Sequence, residues 1–178
     1  MIWLCLVTIV LQGAVTVIDE GFHRGRGLPR WERIGHPLGT LTIVVCLVWL
    51  LAIPRDEATG ATLPIYVGLA AASTLFVIFV IKDERGGCTA GEQWMHGLSF
   101  VLHPAALAAF AYLWWSDTSA LLVGQLGVAL AFMAYQVIYW NLSWNPWRVD
   151  AGDAWVCDGL GDGQVLVDEV RARPVRDR

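Results

Sequence analysis

Two stretches decide how this chain folds: VTVIDEGFHRGRGLPRWERIGHP at residues 15–37 and VIFVIKDERGGCTAGEQWMHG at residues 77–97. Each begins in an uncharged apolar run, meets Asp-Glu shortly after an isoleucine, and passes through a glycine-rich loop. Each then re-enters apolar sequence through Glu-x-x-x-His. Asp19–Glu20 aligns with Asp83–Glu84, and Glu32 and His36 align with Glu92 and His96. Twelve positions separate Glu20 from Glu32 and eight separate Glu84 from Glu92, so the second loop is the shorter. Two such elements matching in order indicate an internal repeat, spanning approximately residues 2–53 and 63–115.

The apolar runs flanking these stretches are long enough to cross a bilayer, which takes about 20 residues of helix. Five are present: Ile2–Ile18, Leu38–Ile53, Leu63–Ile81, Gly97–Trp115 and Ala120–Leu142. The second is short, and its helix is expected to begin before Leu38. Of the 178 residues, 56% are hydrophobic and only 16% charged, with a mean hydropathy of +0.54. A soluble domain carries about 25% charged residues, so most soluble enzymes are excluded. The net charge of −4 offers no polycationic face, which excludes nucleic acid as a partner. The first run lacks a basic n-region and a small-x-small cleavage site, and is read as a retained span. No two cysteines form a C-x-x-C pair; Cys5 and Cys46, inside apolar runs, are expected to be small buried hydrophobes.

The basic residues orient the spans. Four arginines (24, 26, 30, 33) fall in the first connection, Lys82 and Arg85 in the third, and five arginines in the tail. Eleven of the 12 positive charges therefore share one side, and Arg55 alone is opposite. By the positive-inside rule the N-terminus is outside and the tail cytoplasmic, as in a bacterial-type inner membrane. Trp3, Trp49, Trp114, Trp115, Trp140 and Trp144 lie near span ends, where indole rings favour the interface. The expected fold is an all-α integral membrane protein. Two repeated helical hairpins form a four-helix bundle, and a fifth helix (120–142) completes the transmembrane domain 1–142. A cytoplasmic tail, 143–178, follows, in which Ala154–Asp158 and Gln164–Asp168 flank a glycine-rich turn and suggest a small β-hairpin.

Because both repeated loops lie on one side, their polar residues reach one depth. In Glu-x-x-x-His the two side chains sit one turn apart on one helix face and can address one ion. The expected metal ligands are Glu20, Glu32, His36, Glu84, Glu92 and His96. This inventory of four carboxylates and two imidazoles resembles that of the carboxylate-bridged di-iron proteins of the ferritin-like class, in ligand set and helix count over roughly residues 15–104. There two helices each give a Glu and two each give a Glu with a His. The Glu–His spacing here is four residues, whereas that class uses three. The resemblance implies that Glu20 and Glu84 are the single-carboxylate ligands, Glu32 and Glu92 the bridging or terminal carboxylates, and His36 and His96 the nitrogen ligands of two divalent ions. Hard carboxylates with imidazole suit iron, and also zinc or manganese.

Further residues lie close to the expected centre. Asp19 and Asp83 adjoin the acidic ligands. His23, three residues after Glu20, is an additional ligand if the helix continues past Ile18, but Gly21, Gly25 and Gly27 favour a loop and the role of an outer partner. His103, two turns deeper than His96, is a third ligand, a proton relay, or a hydrogen-bonded structural histidine beside Pro104. Tyr135 and Tyr139 fall at the depth of the site near the end of the fifth span.

The functional expectation is a membrane enzyme, an oxidoreductase or a hydrolase, acting on a lipid or other apolar substrate that arrives from the surrounding membrane lipids. A metal-ion transporter or metal-binding membrane protein is the alternative, and a structural subunit without metal the second alternative. Four histidines are too few for the histidine-rich membrane hydroxylases and desaturases. The orientation is directly testable. Alkaline phosphatase fused within the second connection, after Glu57, is expected to be active, and fused after Leu28 inactive. The reverse pattern overturns the assignment.

Overall fold

The computed structural model describes residues 1–28, 30–83 and 89–143. Glu84 and the expected tail hairpin lie outside them. Among the described residues every regular element is helical: α1 (Ile2–Arg26), α2 (Arg30–Ala52), α3 (Thr62–Asp83), α4 (Ala90–Trp115) and α5 (Ser119–Val137). A 3-10 turn (Arg55–Glu57) follows α2, and a π-helical turn (Ile138–Ser143) prolongs α5. All five α-helices are long and apolar enough to cross a membrane.

The helices run further at one end of the bundle than hydropathy indicates. The connection expected at residues 19–35 contracts to residues 27–29, and His23 lies within α1 rather than in a loop. No proline lies between Asp19 and Arg26, and a glycine inside a helix costs only about 1 kcal/mol relative to alanine. Packing of the helix end offsets that cost. Phe22 lies directly over Gly91 of α4, where a Cβ would come within 3.1 Å of the ring. Helix α1 ends at Gly27, whose φ of 76° suits a residue without a Cβ and whose N–H donates to His23 O at 2.8 Å.

Helices α2 and α4 are the most enclosed. Helix α1 packs mainly on α4, α3 bridges α2 and α4, and α5 lies on α2 with a lighter contact to α4. The core between them is built from Leu47, Leu50, Leu107, Phe110, Leu113 and Leu122. Cys5 and Cys46 are both buried, as expected.

In lipid, leucine gains little by leaving the solvent, so close packing and interhelical hydrogen bonds carry the association. Tyr66 Oη donates to Leu107 O at 2.6 Å, tying α3 to α4. Ser73 Oγ lies 2.9 Å from His103 Nε2 and 2.7 Å from Thr42 Oγ1, so one polar chain links α4, α3 and α2 at mid-helix. At one end of the bundle, Trp114 Nε1 donates to Ile53 O at 2.9 Å and Arg55 Nη1 to Trp115 O at 2.9 Å. At the other, Pro37 inside α2 has no N–H to offer Arg33 O. Asn141 Nδ2 donates to that carbonyl instead at 3.1 Å, fastening the π-turn to α2.

Gly91→Leu is expected to force α1 away from α4 and to lower thermal stability markedly. Tyr66→Phe should cost no more than ~1.5 kcal/mol, the net worth of one hydrogen bond. Circular dichroism melts in detergent rank the two.

Candidate metal centre

The C-terminal ends of α1 and α5 and the N-terminal ends of α2 and α4 meet at one end of the bundle, and most of the buried ionisable residues gather there. Thr89 caps α4. Its Oγ1 accepts the Glu92 N–H at 3.3 Å, and its own N–H donates to Glu92 Oε2 at 3.4 Å. This reciprocal capping box holds the Glu92 carboxylate in place and leaves Oε1 3.3 Å from His23 Nε2. The helix N-terminus also favours a negative group there.

Asp19 completes the arrangement by using both oxygens. Oδ2 lies 3.6 Å from His23 Nε2 and Oδ1 lies 3.2 Å from His96 Nε2. Asp19, His23, Glu92 and His96 each offer one ligand atom, and these atoms lie within 4.8 Å of one another. The His23 and Glu92 side chains are each 1% exposed. Metal bonds of about 2.0–2.2 Å to nitrogen and oxygen place neighbouring ligand atoms of a tetrahedral site about 3.3–3.6 Å apart. The contacts of 3.2, 3.3 and 3.6 Å fall close to that range. A divalent cation also balances two carboxylates while both imidazoles stay neutral and able to ligate. The four residues therefore fit a metal ion.

The residues expected from sequence divide in an informative way. Glu92 and His96 belong to the cluster. His36 sits against it, its ring edge-on to His23 with centroids 4.5 Å apart. Glu32 is buried in the first turn of α2. Glu20 faces α5 instead: its Oε1 accepts from Tyr135 Oη at 2.6 Å and from Trp140 Nε1 at 2.8 Å. Asp83 closes α3. His103 stands apart, hydrogen-bonded to Ser73.

Asp19 and His23, expected as additional or outer residues, are two of the four clustered groups. They were legible as Asp-x-x-x-His, the same four-residue spacing as Glu92 to His96. Trp140 stands where an interfacial ring is expected. It is fully buried in the π-turn and holds Glu20. Tyr135 and Tyr139 do lie at this end, stacked at 5.5 Å, with the Arg24 guanidinium 4.8 Å from the Tyr139 ring centre and its Nε donating to Tyr135 Oη at 2.9 Å. Beside the cluster a cavity of ≈ 90 Å³ has Asp19, His36 and Thr40 in its wall. Thr40 Oγ1 donates to Gln136 Oε1 at 2.8 Å across it.

Comparison with family models, with curated proteins and with solved structures finds no match. The geometry of the cluster is accordingly what carries the functional reading.

His23→Ala and His96→Ala are each expected to lower iron or zinc affinity by more than about 100-fold, beyond the usual effect of losing a supporting partner. Glu20→Gln should stay within about 10-fold of wild type, because its carboxylate supports α5 rather than the ion. Competition against a chromophoric chelator in detergent measures all three.

Proposed function

We propose that this chain is a membrane-embedded metalloenzyme whose ion is held by Asp19, His23, Glu92 and His96 at the cytoplasmic end of the bundle, and which acts on a lipid-like apolar substrate. The observation that carries the reading is the buried Asp/His/Glu/His quartet, with contacts of 3.2–3.6 Å. The distribution of arginines supports the cytoplasmic placement. Carboxylate and imidazole donors suit iron, zinc or manganese. Such an ion supplies Lewis-acid polarisation and activation of water, or, for iron, redox chemistry. The protein holds the ion, orients the ligands from two helix ends, and keeps bulk water away from three of the four side chains.

A second ion has a natural place in this reading. Exchanging the two repeats takes α1 to α3 and α4 to α2, and both α1 with α4 and α3 with α2 are packed pairs. The partners of Asp19, Glu92 and His96 under that exchange are Asp83, Glu32 and His36. The contact of the His36 ring with His23 brings His36 of the second set against the quartet.

Enzyme chemistry is favoured over transport by the bundle interior. Among the described residues His103 is the one Asp, Glu, Lys, Arg or His between the two ends of the spans, and it is engaged by Ser73. A transport path would place further charged residues near the bilayer midplane.

Metal analysis of the purified protein tests the proposal. About one equivalent is expected for the quartet and about two if the second half-site fills. Asp19→Ala should lose all of it, and Glu32→Ala with His36→Ala should halve a two-ion content. Wild-type protein that stays metal-free after reconstitution with iron, zinc and manganese overturns the reading.

A further inference from the structure

Three features coincide between α1 and α5. Among the described residues these two helices share no extended contact; they are joined at the metal end by Glu20 and Arg24 meeting Tyr135 and Trp140. On the membrane side of that join lies a cavity of ≈ 150 Å³, enclosed by α1, α2, α4 and α5, with Gly13 and Val17 on one flank and Val128 and Phe132 on the other. Gln12, which lines it, donates from Nε2 to Thr16 Oγ1 at 3.3 Å, while its buried Oε1 has no hydrogen-bond partner among the described residues. A buried acceptor without a donor costs about 1–3 kcal/mol, so a ligand that supplies one is favoured.

The cavity does not end there. The ≈ 90 Å³ cavity beside the cluster shares Gln12, Thr16, Thr40, Ile43 and His103 with it and reaches Asp19 and His36. The two adjoining cavities together extend from the flank between α1 and α5 to the wall of the cluster.

From this geometry we infer a lateral portal through which a neutral, single-chain, lipid-soluble alcohol enters from the bilayer, its hydroxyl donating to Gln12 Oε1. Size sets the part that is enclosed. An apolar cavity of about 150 Å³ holds a molecule as large as benzene, so a chain segment of about six carbons fits while the remainder stays in lipid. Charge sets the head group. Among the described residues no lysine or arginine lines either cavity, so against these residues a phosphate or carboxylate head would be buried without a countercharge and would face Asp19. That the alcohol is the substrate of the metal centre rests on the function proposed above; the portal itself rests on the cavity.

The test uses the full chain in phosphatidylcholine nanodiscs and a long-chain alcohol carrying a diazirine near its hydroxyl end. Photolabelled peptides are mapped by mass spectrometry, and metal content is measured on the same samples. Label is expected on α1 and α5 around Gln12 to Val17 and Gln125 to Phe132, displaced by excess hexadecanol and not by hexadecanoate. Gly13→Trp, at a position with no atom within 4 Å of an added Cβ, should lower the label more than about tenfold by occupying the opening. Gln12→Leu, close in shape, should lower it by about five- to tenfold, the worth of one hydrogen bond. Both variants should keep the metal content of wild type. Label spread over all five helices without displacement, or undiminished in both variants, overturns the portal. Site-specific label on a metal-free protein upholds the portal and removes the metal reading, and a metal-loaded protein without site-specific label does the reverse.

Discussion

The gathering of two carboxylates and two imidazoles where α1 meets α4, three of the four side chains buried, is the constraint on which the rest of this structure depends. An ionised group taken out of water without a partner is far more costly than any single packing contact in a bundle of this size. The four groups are therefore tolerable only together, with α1 turned so that Asp19 and His23 face Glu92 and His96. That rotation also turns Glu20 toward α5 and places Phe22 on Gly91.

Apolar packing alone would not fix these positions. Side chains such as Leu47 and Leu113 fill the core, but lipid competes with protein for leucine on nearly equal terms. What distinguishes one arrangement of the helices from another is the set of directed bonds. Tyr66 reaches a carbonyl of α4, Ser73 joins His103 to Thr42, and Asn141 takes up the carbonyl that Pro37 leaves unserved. Each of these would be unsatisfied in hydrocarbon if the helices slid or rotated, which is why a chain of mostly featureless apolar runs can adopt one packing.

The five spans were legible in the sequence because a bilayer requires long uncharged helices and leaves an unmistakable pattern. Their ends at the metal centre were not, since charged and glycine residues there signal the interface whether or not the helix continues. The cluster was half legible. Glu92 and His96 announced themselves by spacing, but adjacent residues on a helix point about 100° apart, and sequence cannot choose between Asp19 and Glu20 until the rotation of α1 is known. The four-residue step from Asp19 to His23 carried that information; three glycines nearby masked it by suggesting a loop. The role of Trp140 had no sequence signal, because a π-turn is what brings its indole inward and tryptophans at span ends are expected at the interface in any case.

The same π-turn explains why the bundle is closed on one side of the metal centre and open on the other. An extra residue in the turn carries Trp140 onto Glu20 and brings Tyr139 beside Arg24, so α5 is clamped to α1 where the ionisable groups must be shielded. Below the clamp α5 follows α2, and nothing draws α1 and α5 together, since Val17 and Val128 face lipid as comfortably as they would face each other. The shielded cluster and the cavity beside it thus follow from one geometric choice: a contact made by polar groups at the end of two helices that otherwise have no reason to pack.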